Sequence, residues 1–227
     1  MSDTQHPPSA SPRPGSIALS VKILCTAFVA VLVPYYSWYY GPPNFLWFCD
    51  IALLLTVPAL WLESSFLASM QLVSSFLLMI VWLADFLTRL VGGFFLVRMT
   101  VYMFRPDVDL AARLFSLYHA WLPFLLLWLV WRLGYDRHAW IAQTLLAWVV
   151  LPICYFFTDP IRALNAVFGP SGEYQQTWMD PLLYLVLLMV FYPLCVYLPS
   201  HLVFRRIFRE RATPPALVGA SAKRELD

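Results

Sequence analysis

Cys49 and His119 are the residues of this 227-residue chain whose types best suit nucleophilic chemistry. A thiol attacks as the thiolate, and an adjacent imidazole is the usual group that takes its proton. Asp85 supplies a carboxylate that can orient the imidazole, the role of the acid in a triad. Asn44, Asp50, Arg89 and Arg113 are the accompanying candidates for substrate binding. All seven lie in or beside apolar stretches, where polar groups are expensive and normally satisfy one another.

Spacing limits how these groups can combine. Asp50 follows Cys49 directly, about a hundred degrees round a helix, so the two do not share a face. Asp50 is therefore expected to pair with Arg89 or Arg113. Asp85 and Arg89 are four residues apart and can pair on one helix face. Pro123 leaves the His119 carbonyl without its helical donor, so that oxygen can bind a lipid hydroxyl or a water, or simply mark a kink. Plainer readings stand beside these. A buried Cys is commonly a small hydrophobe, Asp85–Arg89 can be a structural helix-end pair, and the Trp and Tyr residues read mostly as interfacial belt and packing.

Composition says which elements must position these groups. The chain is 61% hydrophobic and 12% charged, against roughly 25% charged in an ordinary soluble domain. Too little polar surface remains to cover a soluble globule, so lipid must be the solvent over most of it. Cys25, Cys49, Cys154 and Cys195 all sit in apolar runs with no CxxC, which argues against a disulfide framework or a zinc site. His138 and His201 have no partner at metal-ligand spacing, so no metal or cofactor is predicted. No aromatic-basic interleaving supports nucleic-acid binding, and the expected partners are membrane lipids.

The predicted architecture is all-α, a polytopic transmembrane helix bundle. Residues 1–16 are a polar, Pro- and Ser-rich lead that reads as disordered. Residues 17–204 form the membrane domain and 205–227 a basic tail. Spans are predicted at 17–33, 45–61, 66–87, 114–130, 139–157 and 182–204. The apolar piece 91–104 begins with glycines and contains Arg98. Its fourteen residues reach only about 21 Å against a hydrocarbon core of roughly 30 Å, so it reads as re-entrant or interfacial, with a seventh span as the alternative. Six spans are preferred because they bring Cys49, Asp50, Asp85 and His119 to one membrane face, where they can satisfy one another. Arg205, Arg206, Arg209, Arg211, Lys223 and Arg224 crowd the tail and place it in the cytoplasm by the positive-inside rule, where it can also touch anionic lipid.

The run Asn44-Phe45-Leu46-Trp47-Phe48-Cys49-Asp50, with a lone His about seventy positions later, resembles the Cys/His membrane acyltransferase and hydrolase superfamily. That group includes YwaF-type bacterial proteins and the androgen-induced fatty-acid-ester hydrolases, which use Thr in place of Cys. The chain also resembles bacterial membrane-associated proteins of unassigned function, which implies the bacterial inner membrane. The superfamily resemblance implies acyl transfer or ester hydrolysis on lipids, with Cys49 as nucleophile and His119 as base. The alternative is a non-enzymatic carrier or complex subunit whose polar cluster is a packing network or a permeation path.

Overall fold

The structure is a computed structural model that describes residues 16–170 and 175–208. Its described part is helical: α1 (Leu19–Tyr39), α2 (Phe48–Trp61), α3 (Ser65–Gly92), α4 (Leu110–Ser116), α5 (Tyr118–Leu133), α6 (Ala139–Phe157), α7 (Pro181–Phe191) and α8 (Leu198–Ile207). α4 runs into α5, and α7 into α8 through a π-helical turn at Tyr192–Tyr197. Five helical stretches are long and apolar enough to cross a membrane: Leu19–Tyr39, Ser65–Gly92, Leu110–Leu133, Ala139–Phe157 and Pro181–Ile207. α2 is apolar but has only 14 residues.

The helix boundaries follow local chemistry. α1 stops at Gly41, whose φ of +81° suits a residue without a side chain, and Pro42–Leu46 continues as a 3-10 turn. The predicted second span therefore begins as a helix at Phe48 rather than 45. Ser64 caps α3 by accepting from the Leu67 N–H at 3.2 Å, the usual N-cap arrangement. Gly93, at φ +77°, ends α3 in a left-handed C-cap, its N–H donating to the Arg89 carbonyl. Asp180 caps α7 by accepting from Leu182 and Leu183 N–H at 2.9 and 3.0 Å, and Pro181 occupies the first helical position, where its missing N–H costs nothing.

α3 is the hub and packs against α2, α5 and α6. Ala68, Leu72 and Val73 on it are fully buried. Apolar residues elsewhere face outward, among them Trp38, Val91 and Phe157, as expected where lipid is the solvent.

Contacts show which helix ends lie together. Glu63, between α2 and α3, accepts from the Ile17 N–H at 3.0 Å and from Lys22 Nζ at 2.8 Å at the start of α1. The Asp136 N–H of the α5–α6 loop donates to Ser69 near the start of α3, and Tyr135 meets His201 of α8 at 2.8 Å. These form one end of the bundle. At the other end Asp109, just before α4, is bound by Tyr35 and Tyr39 of α1. Arg162, beyond α6, donates to the Tyr40 carbonyl at 2.6 Å.

The 91–104 segment divides in two. α3 runs on to Gly92, and the rest is a loop with a short 3-10 turn at Val101–Phe104. It contains no helix long enough to cross a membrane. The polar lead before residue 16 and the basic tail beyond residue 208 lie outside the described residues.

Candidate functional site

At the end of the bundle where α2 and α5 begin, Asp50 is 3% exposed and has two partners. Tyr118 Oη donates to Oδ1 at 2.9 Å and Asn44 Nδ2 to Oδ2 at 2.9 Å. Asn44 comes from the 3-10 turn before α2, and Tyr118 opens α5. A carboxylate bound by two donors in an apolar setting locks both helix starts to one point.

A second long-range contact sets the height of α2. Asn165, in the connection between α6 and α7, accepts from the Phe48 N–H at 3.0 Å and donates to the Leu46 carbonyl at 2.7 Å. It is an N-cap supplied from 117 positions away. Its φ of +50° is one that Asn tolerates better than most residues.

His119 is 9% exposed. Its ring lies between those of Tyr118 and Trp82, with centroids at 4.1 and 4.8 Å. Nδ1 is 2.7 Å from the Ser116 carbonyl. A carbonyl can only accept, so Nδ1 carries the proton and Nε2 the lone pair. Around Ser116 the network continues: its hydroxyl meets Tyr36 Oη at 3.0 Å, and Trp82 Nε1 donates to Tyr102 Oη at 3.2 Å.

Cys49 is half-buried beside the Tyr118 hydroxyl. Among the described residues no hydrogen bond joins Cys49 to His119; Tyr118 stands next to both. The thiol and the imidazole therefore sit at the same end of the bundle, near the starts of α2 and α5, with no hydrogen bond between them.

Asp85 is fully buried and does not orient His119 in this arrangement. Oδ1 accepts from the N–H groups of Val97 and Arg98 at 2.7 and 3.1 Å. Oδ2 accepts from the N–H and hydroxyl of Thr100 at 2.8 and 2.6 Å. The carboxylate thus folds the 97–100 loop around itself. Arg89 donates to the Gly93 carbonyl and faces the rings of Phe95 and Phe104 at 4.9 and 5.7 Å. The expected Asp85–Arg89 pair gives way to these bonds because the loop's N–H groups reach Asp85 first. Asp50, likewise, takes Tyr118 and Asn44 where an arginine was expected. Arg113 sits on α4 with a buried Nε that has no hydrogen-bond partner.

Beside this cluster an apolar cavity of about 530 Å3 opens between α7 and the preceding connection, walled by Trp178, Met179, Tyr184, Leu188, Phe191 and Tyr192. Tyr192 joins the two regions. Its ring packs on Phe48 at 5.1 Å, and its hydroxyl donates to the Asn165 carbonyl at 3.2 Å.

Sequence reasoning overlooked Tyr118, Tyr102, Tyr36 and Asn165. The three tyrosines read from the sequence as belt and packing residues, although Tyr118 adjoins His119 in the chain. Asn165 carries no local signal, since the Leu46 and Phe48 groups that its side chain caps are over a hundred positions away. Among the described residues no three of His, Cys, Asp and Glu converge as a metal set. The chain matches no protein-family model, no curated protein and no solved structure.

Proposed function

We propose that this chain is a six-crossing integral membrane protein and a non-enzymatic membrane component, a carrier or a subunit of a larger complex, whose Asp50–Tyr118 cluster is a helix-packing network. The observation that carries this reading is saturation. Both oxygens of Asp50 and both of Asp85 accept from donors of the chain itself. His119 is held by a carbonyl and two rings. Six crossings fit the contacts, with the short α2 as the second and the starts of α1, α3 and α6 gathered with the end of α8. Arg205 and Arg206 in the last turn of α8 favour the cytoplasm for that end, and the bacterial inner membrane rests on the sequence resemblance.

Thiol-dependent acyl transfer or ester hydrolysis is the second reading. It is favoured by Tyr118, which adjoins Cys49 and stacks on His119, and by an apolar cavity one residue away through Tyr192. Catalytic hydrogen bonds often tighten only when substrate binds. In that reaction the Cys49 sulfur bonds to the ester carbonyl carbon, its proton passes to His119, and the alcohol leaves with that proton.

The test is the purified protein in phospholipid nanodiscs, with Cys49 and the lipid pool both read by mass spectrometry. We expect no acyl adduct on Cys49 and a lipid pool unchanged relative to Cys49→Ala. An adduct or lipid turnover that disappears in both Cys49→Ala and His119→Ala overturns the packing reading in favour of acyl transfer.

A further inference from the structure

A second polar cluster is buried near the end of the bundle where α3 and α6 begin, opposite Asp50. Gln71 and Ser74 of α3, Gln143 of α6 and Tyr197 of the π-helical turn are at most 1% exposed. These three elements pack on one another, and Gln71 and Ser74, three apart, share a helix face. The Tyr197 hydroxyl is within reach of Gln143 and Ser74, but the contacts fall outside hydrogen-bond geometry. Gln71 Nε2 and Oε1, Ser74 Oγ, Gln143 Nε2 and Oε1 and Tyr197 Oη are all buried without a protein partner.

Buried polar groups without partners are rare, because each forfeits its hydration without return. Elsewhere in this bundle comparable groups are satisfied. Pro193 has no N–H to give the Met189 carbonyl, and Trp148 Nε1 supplies one at 2.9 Å. Ser75 and Thr144 donate to the carbonyls one turn back. Among the described residues the orphaned side-chain atoms other than Arg113 Nε are therefore concentrated at one place, next to a π-helical turn, an irregularity common at functional sites.

We infer that Gln71, Ser74, Gln143 and Tyr197 enclose an internal hydration site that holds ordered water inside the bundle, about one to two helical turns in from the starts of α3 and α6. The donor set selects the ligand. Two of the orphaned atoms are amide nitrogens, which need acceptors; a metal cation satisfies only the oxygens and finds no carboxylate among these four residues. Water both donates and accepts. A buried water makes about three hydrogen bonds, so about two waters satisfy the six atoms. Polar groups continue from the site along the same helix face, since His201 follows Tyr197 by four residues and meets the half-buried Tyr135 at 2.8 Å.

X-ray radiolytic labelling tests this, because hydroxyl radicals form on bound water and modify the side chains beside it. The intact protein in nanodiscs is mixed with heavy-oxygen water, pulsed, and read by mass spectrometry. Tyr197, although wholly buried, is expected to be modified, and Gln71→Leu/Gln143→Leu is expected to lose that modification while labelling of Tyr135 at the bundle end is kept. Wild-type protein alone can overturn the inference, if Tyr197 stays unmodified while Tyr135 is labelled. Persistence of Tyr197 labelling in a folded double variant also overturns it.

Discussion

Asp85 and Asp50 show how a carboxylate is kept inside an apolar bundle. Each is surrounded by donors from its own chain: Asp85 fixes the backbone of a loop, and Asp50 ties the side chains of Asn44 and Tyr118 together. Removing Asp85 leaves three backbone N–H groups and a hydroxyl without their acceptor. Hydrogen bonds to a charged group are worth about 1.5–3 kcal/mol each, with strong non-additivity. Asp85→Ala should therefore loosen the 93–109 loop before it unfolds the bundle, read as faster limited proteolysis there with helicity retained. Equal proteolysis of variant and parent would remove Asp85 from this role. Glu63 makes a prediction about pH. Its bonds to Lys22 and the Ile17 N–H hold its carboxyl below the ordinary 4.5. The depressed acid contributes stability that is present above 4.5 and lost as pH falls through its lower folded value. Thermal unfolding of Glu63→Gln should show a weaker acid dependence below pH 4.5 than the parent; an identical profile would contradict this.

Helices are the level at which the sequence was most legible. Long apolar runs bounded by Gly, Pro and charged residues announce the starts of α1, α3 and α6 to within two residues, because in lipid the backbone has few other ways to satisfy itself, whereas α1 and α3 run six and five residues past their expected ends. Ser64 and Asp180 are ordinary capping residues in capping positions. Side-chain partners were not legible. Charge and spacing pointed Asp50 and Asp85 toward arginines, while folding gave them Tyr118, Asn44 and the N–H groups of a loop. Backbone donors carry no residue type for a sequence to display. Asn165 is the sharpest case, since it caps α2 from the far side of the chain. Asn165→Ala should cost about 0.5–2 kcal/mol, the usual value of an N-cap, and raise amide exchange at Phe48 selectively. Unchanged exchange at Phe48 would show that α2 does not depend on this cap.

The whole molecule is a bundle centred on α3, with one polar cluster at the end where α2 and α5 begin and a second buried within it. Helix ends alternate between the two faces, so residues just before α1 and at the end of α8 should emerge on the same side of a membrane. Ser16→Cys and Ile207→Cys, each in a cysteine-free background, should react with an impermeant thiol reagent from one side only, and the same side for both. Reaction from opposite sides would require an odd number of crossings. If the Asp50 network holds the bundle together and the Cys49 thiol is dispensable, thermal unfolding in matched micelles shows it most directly. Asp50→Ala strands the Tyr118 hydroxyl and the Asn44 amide, at about 1–3 kcal/mol for each group left unsatisfied. At about 2–4 °C per kcal/mol for a chain of this size, Asp50→Ala should lower Tm by about 5 °C or more, and Cys49→Ala by no more than about 2 °C. A Cys49→Ala loss equal to or larger than that of Asp50→Ala would contradict the account.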